Sequence, residues 1–239
     1  MFARRTMLVL SLTAVLAACG GGGDGVATIT SDPNLSVPLK TAYANYLNNN
    51  HTTNLSISGW IDNSTLAHPQ PRTPISGTGT YTDSTLSTVS YKGNTYLQKA
   101  TTASISINGQ ATQIATAQTL YNTADYTVAY TIEGNQVMKY SQYALPTTVK
   151  IGSAGNLATS TDGGALATTQ SLTYSVAAGD ASSLLVTLVL DTYSPALGHS
   201  EQTQSVYRVN VDGTMKPVSQ TDLKYFSGNI YQSINITFQ

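Results

Sequence analysis

The chain contains a single cysteine, Cys19, among its 239 residues. An intrachain disulfide framework and a cysteine-rich zinc site are therefore excluded. Charge is scarce too: Lys and Arg number 11 and Asp and Glu 12, together 10% of the chain. An average domain carries roughly 25%. With no basic excess there is no electrostatic footprint for a polyanion, and no nucleic-acid partner is expected. The only histidines are His51, His68 and His199, and none has a second ligand at metal-binding spacing. Neither a metal nor a cofactor is expected. After residue 18 no apolar run approaches the roughly 20 residues that cross a bilayer as a helix.

What is present begins at the N-terminus. Arg4 and Arg5 precede Met7–Ala18 (MLVLSLTAVLAA), a short apolar run that ends in small residues. That order of charge, apolar core and small residues is a secretory signal peptide, with cleavage expected between Ala18 and Cys19. Leu16-Ala17-Ala18-Cys19 resembles the lipobox of bacterial lipoproteins. The resemblance covers Met1 to Gly25 and implies a thioether-linked diacylglyceryl group on Cys19 and a cut before it. One acyl chain holds a protein to a membrane only marginally, whereas two or three on one residue anchor it stably. A lipid bilayer reached through Cys19 is thus the expected partner. The expected location is the bacterial cell envelope. Gly20, in place of an aspartate after the cysteine, implies the outer membrane where the enterobacterial sorting rule holds.

Removal of residues 1–18 would leave 239 − 18 = 221 residues with a charge of 9 − 12 = −3. Gly20–Gly23, Asp24 and Gly25 read as a flexible leash, so residues 19–36 are assigned as tether and 37–239 as one globular domain. A glycine-rich chain of that length reaches roughly 20–25 Å.

Leu39, Ala42, Tyr43, Tyr46 and Leu47 share one helical face, which predicts an N-terminal helix opened by Ser36 and Pro38. Then the period changes to two. Leu55, Ile57 and Ile61 alternate with polar residues, and His68 to Pro74 forms a proline-rich loop. Ala103, Ile105 and Ile107 lead into Asn108-Gly109, a hairpin signal; Tyr126 to Ile132 lead into Glu133-Gly134-Asn135, and Tyr207, Val209 and Val211 into Asp212-Gly213. Leu184–Leu190 (LLVTLVL) is apolar on both alternating sides and predicts a strand covered on both faces. The expected fold is mainly β with one N-terminal helix. It is a single curved antiparallel sheet of about ten strands, half-barrel-like or folded into a sandwich, with a seam at Asp162-Gly163-Gly164.

No catalytic constellation is visible. His199, Ser200 and Glu201 are adjacent, but neighbours on a strand point to opposite faces, so adjacency does not make a triad. No GxSxG elbow occurs. Asp62, Asp83, Asp125, Glu133, Asp191 and Glu201 are scattered without the pairing a glycosidase needs. The expectation is a non-enzymatic binding or structural domain. Aromatics are the remaining lead: 15 Tyr, 3 Phe and one Trp. Trp60 shares its strand face with Ser56 and Ser58, opposite Ile57 and Ile61, and is a candidate ligand contact that also suits packing under the proline loop. Tyr43 and Tyr46 are candidates on the helix.

Three functions fit. The first is an envelope lipoprotein contacting a protein, a glycan or the cell wall. The second is a carrier of a hydrophobic ligand, since helix then curved sheet resembles the half-barrel lipoprotein carriers and receptors of the periplasm. The third is a glycan-active enzyme. A sealed apolar cavity between Tyr43, Tyr46, Leu47 and the sheet would favour the carrier.

Overall fold

A computed structural model describes residues 32–62, 72–134, 136–162, 168–196, 198–226 and 228–239. Ala18, Cys19 and leash residues 20–31 fall outside them, as does His68; Ser36, assigned to the leash from sequence, lies in the first strand. The chain enters through β1 (Ser36–Val37), which pairs with β9 (Val149–Lys150), and continues into α1 (Leu39–Asn48). The remaining strands are β2 (His51–Ile61), β3 (Thr73–Asp83), β4 (Ser87–Tyr91), β5 (Asn94–Ile107), β6 (Gln110–Tyr121), β7 (Val128–Glu133) and β8 (Gln136–Tyr140). They continue as β10 (Ala154–Asp162), β11 (Thr169–Ala178), β12 (Ser183–Ser194), β13 (Gly198–Asn210), β14 (Met215–Phe226) and β15 (Asn229–Phe238).

Twelve of these strands close into an antiparallel barrel. Each stave pairs with the next along the chain, from β2 through β3, β5, β6, β7, β8 and β10 to β15. Closure comes from β15 against β2, from Gln232↔Ile61 to Phe238↔Leu55. β4 continues the line of β3 and pairs with the first half of β5. The half-barrel and sandwich expected from sequence are corrected here, because the last strand returns to the first. The Asp162 seam is corrected as well: β10 and β11 are consecutive staves paired from Ala154↔Ser175 to Thr161↔Thr169. The hairpin signals held: Asn108 and Gly109 both have positive φ (50° and 80°), as a type I′ turn requires.

The two faces of the wall differ in chemistry. Leu184, Val186, Leu188 and Leu190 of β12 point inward, as do Ile57, Tyr81, Ile105, Tyr207, Ile234 and Ile236 from other staves. Outward rows on β2, β3 and β11 carry hydroxyls, with Ser56 and Ser58, Thr78 and Thr80, and Ser171 and Thr173, whereas β6, β7 and β8 turn Leu120, Tyr130, Ile132 and Val137 outward into a cluster of their own. Leu185 and Val189, the other side of the LLVTLVL segment, are half-buried.

Side chains fill an eight-stranded barrel, but twelve strands enclose more space than side chains alone can occupy. Two features reduce it. The wall of β2, β3, β5 and β15 closes on itself over Leu55, Ile57, Ile75, Ile105 and Ile234. Gly77 allows this: a Cβ there would sit 2.2 Å from the Ser106 carbonyl oxygen. At one end α1 lies inside the wall and buries Leu39, Ala42, Tyr43, Tyr46 and Leu47 against Val186, Tyr207 and Val209. The predicted apolar face is therefore the buried one. The predicted cap is not: no side chain caps α1, and Ser36 pairs with Lys150 instead. Asn45 fixes the helix to the β13–β14 turn by donating to the Gly213 carbonyl at 3.1 Å.

Candidate functional site

Beneath α1 the barrel keeps a cavity of about 90 Å³, open to solvent on one side. Its walls are of two kinds. One is apolar and comes from Leu157, Leu172, Leu188, Leu190 and Met215. The other is lined with hydroxyls from Tyr81, Thr101, Thr119, Tyr121, Thr131 and Tyr140. Tyr43, Tyr46 and Leu47 of α1 form the roof. A cavity does lie between helix and sheet, but it is neither sealed nor wholly apolar: part of its boundary is open to solvent and one wall carries hydroxyls.

The hydroxyl wall is internally bonded. Tyr81 engages Thr101, Tyr121 engages Thr119, and Tyr140 donates to the Gln170 amide oxygen at 2.9 Å. Tyr143 accepts from the Val128 N–H at 3.0 Å. Burial pushes the Tyr140 phenol up to about 12, and burial raises Tyr43, Tyr46, Tyr81 and Tyr121 further. These phenols stay protonated in any physiological medium. They can donate and accept hydrogen bonds; they do not supply a base or a nucleophile.

An ion cluster anchors the roof. Lys99 is 3% exposed, and its Nζ donates to the carbonyls of Leu47 (2.9 Å) and Asn49 (2.6 Å), with Tyr46 at 3.5 Å. α1 has no basic residue in its last turn, so a strand supplies the cation that its C-terminal carbonyls attract. Asp83, 1% exposed, lies 3.5 Å from Lys99 and accepts from the His51 N–H at 2.7 Å. His51 Nδ1 sits 3.1 Å from the same carboxylate, and its ring stacks on Tyr46 at 4.2 Å. Burial lowers the Lys99 ammonium, and Asp83 opposes that shift.

A second polar group lies inside the wall nearer the other end. Asp222 is 3% exposed and receives the Gln220 amide at 3.0 and 3.1 Å. Burial raises its carboxyl to about 7, with Glu201 adding to the rise and Thr203 and Lys224 opposing it.

The sequence-derived candidates are distributed as follows. Tyr43 and Tyr46 meet at the cavity. Trp60 faces outward and lies under the Arg72 guanidinium, 3.6 Å from the ring centroid, which is a packing contact. His51 belongs to the Asp83 cluster. His199 lies on the outer wall, bonded to Asp191 at 3.0 Å. Glu201 points inward and His199 outward, so the adjacent His199-Ser200-Glu201 does not converge. Lys99 and Asp222 were not singled out in the sequence, and Asp83 stood only among the scattered carboxylates. The available signal was a charge in an apolar row: Lys99 shares parity with Ala103 and Ile105, and Asp83 with Tyr81. Among the described residues no group of three or more His, Cys, Asp or Glu is placed to hold a metal.

Comparison with protein-family models, curated proteins and solved structures finds no match to this chain.

Proposed function

We propose that the chain is a lipid-anchored protein of the bacterial envelope whose barrel binds the apolar part of an amphiphilic ligand beneath α1, without catalysing a reaction. One observation carries this reading: a cavity with one aliphatic and one hydroxyl wall, roofed by the chain's N-terminal helix. The aliphatic wall suits a chain or ring, the hydroxyl wall suits a polar substituent, and the open side leaves room for a head group. At about 90 Å³ the enclosed space is smaller than a pocket for a whole drug-sized ligand, so it takes only part of an apolar chain or ring and leaves the rest on the open side. The outward Ser and Thr rows of β2, β3 and β11 support a barrel standing in water, because an embedded one carries an apolar band around its whole girth and here outward apolar residues gather on β6, β7 and β8. Cys19 would then hold the domain beside the membrane from which such ligands partition.

An alkyl series tests the proposal. The protein is titrated calorimetrically with alkyl glucosides of four to ten carbons, each below its micelle-forming concentration. Affinity is expected to rise about three- to fourfold per added CH₂, at about 0.8 kcal/mol each, until the enclosed space is full, and then to level off. Leu188→Trp, which fills the cavity, is expected to lower affinity at least tenfold while leaving the circular dichroism spectrum unchanged. Affinity independent of chain length, or unchanged in Leu188→Trp, would overturn it.

A further inference from the structure

We infer that the outer wall, at the end away from α1, carries a saccharide-binding bay between the free face of Tyr193 and the ammonium of Lys139. Three rings from three staves form a stack there. Tyr193 of β12 stacks on His199 of β13 at 5.1 Å, and His199 stacks on Tyr225 of β14 at 4.2 Å. Asp191 holds the middle ring through His199 Nε2, and the same carboxylate oxygen accepts from the Gln202 amide at 2.8 Å. The rings are therefore fixed before any ligand arrives, which removes an ordering cost from binding.

The stack is open at one end. Tyr193 is 43% exposed, among the described residues the face turned away from His199 has no ring against it, and the residues in line with it on the next two strands are threonines. Tyr193 pairs with Thr169, Thr169 with Thr161, and Thr161 with Lys139, all pointing outward and the last three exposed. At about 4.8 Å per strand the two threonines form a floor about 14 Å long, with an aromatic wall at one end and a cation at the other. A pyranose ring presents C–H groups to an aromatic face, and hydroxyls along its rim suit a floor of threonine Oγ1 atoms. Lys139 selects an acidic substituent about one ring away. The chemical class is thus an oligosaccharide that bears a carboxylate. A bilayer does not match a floor of hydroxyls, and a single flat heterocycle leaves most of the length unfilled. The bay shares no residue with the cavity under α1, so it stands whether or not an amphiphile binds there.

The test compares two disaccharides that share their rings and differ in one carboxylate: N-acetylglucosaminyl-N-acetylmuramic acid and di-N-acetylchitobiose. Each is titrated by NMR into the full chain. The acidic disaccharide is expected to bind in the millimolar range or tighter, at least fivefold better than the neutral one. Tyr193→Ala removes binding of both, and so does Thr169→Trp, whose ring occupies the same seat at an exposed position. Lys139→Gln brings the acidic sugar down to the neutral one's affinity without changing the latter. Leu188→Trp leaves both sugars unaffected, which separates this site from the cavity. No binding of either sugar at 20 mM would overturn the inference, as would equal binding by wild type and Tyr193→Ala, or binding to phosphatidylglycerol vesicles that Tyr193→Ala removes while neither sugar competes.

Discussion

Replacing Lys99 with methionine is expected to cost the domain about 3–5 kcal/mol of its unfolding free energy, the penalty for stranding one member of a buried ion pair. Methionine keeps most of the side-chain volume, so a cavity term is small. The loss comes from two sources. Asp83, 1% exposed, keeps His51 and Tyr46 as its partners among the described residues. The carbonyls of Leu47 and Asn49 at the end of α1 lose their donor. A small domain holds about 5–15 kcal/mol in total, so the variant lies close to unfolding. Urea denaturation followed by circular dichroism measures the effect. In a double-mutant cycle with Asp83→Asn the two losses should add to less than their sum, because the second change neutralises the carboxylate that the first strands. A loss below about 1 kcal/mol, the value of an exposed pair, would mean that water reaches the cluster and that the roof is not fixed by it.

Asp222→Asn is expected to act in the opposite direction and to depend on pH. The wild-type carboxyl is raised from 3.8 to about 7 by burial, so the folded protein holds a proton that the unfolded chain has already released. Its stabilising contribution is complete below about pH 4 and is lost as pH rises to about 7. Each pH unit in that window removes about 1.4 kcal/mol, roughly 4 kcal/mol in all. Asparagine cannot ionise. It still accepts from Gln220 and offers an N–H toward Thr203, so the variant should match wild type near pH 4. At pH 8 it should be more stable by about 3–4 kcal/mol. Chemical denaturation at five pH values between 4 and 8 gives both curves. Parallel curves would show that Asp222 ionises freely inside the wall.

The inner wall was far more legible in the sequence than its closure. Leu39, Ala42, Tyr43, Tyr46 and Leu47 specify a helical face without help from the rest of the chain, and all five are buried. Ala103, Ile105 and Ile107 before Asn108-Gly109 specify a strand and its turn locally, and the hairpin lies there. Closure is different in kind. Gln232↔Ile61 and Ile236↔Ile57 join residues at opposite ends of the domain, and nothing local in β2 or β15 records that pairing. Leu184–Leu190 predicts cover on both faces, but the closed wall buries Leu184, Val186, Leu188 and Leu190 inside and leaves the outward Leu185 and Val189 only half-buried.

The sites were less legible for the same reason. Tyr193, His199 and Tyr225 come from three strands. Irregular pairing at Thr192/Tyr193 and at Lys224/Tyr225 shifts the residues into line, so counting by twos along any one strand misses the stack. Lys99 illustrates a competing principle. A lysine in an inward row looks like an error of patterning until the end of α1 is placed above it, and then its three donors are all used.

The reading rests on an amphiphile's apolar part entering the space beneath α1. Intermolecular NOEs between octyl glucoside, below its micelle-forming concentration, and methyl-labelled protein examine that contact atom by atom. The account predicts NOEs from the alkyl chain to the inward methyls of Leu157, Leu172 and Leu188, with none to the outward Leu185 and Val189. Contacts confined to those outward methyls, or spread evenly over both faces of the wall, would contradict it.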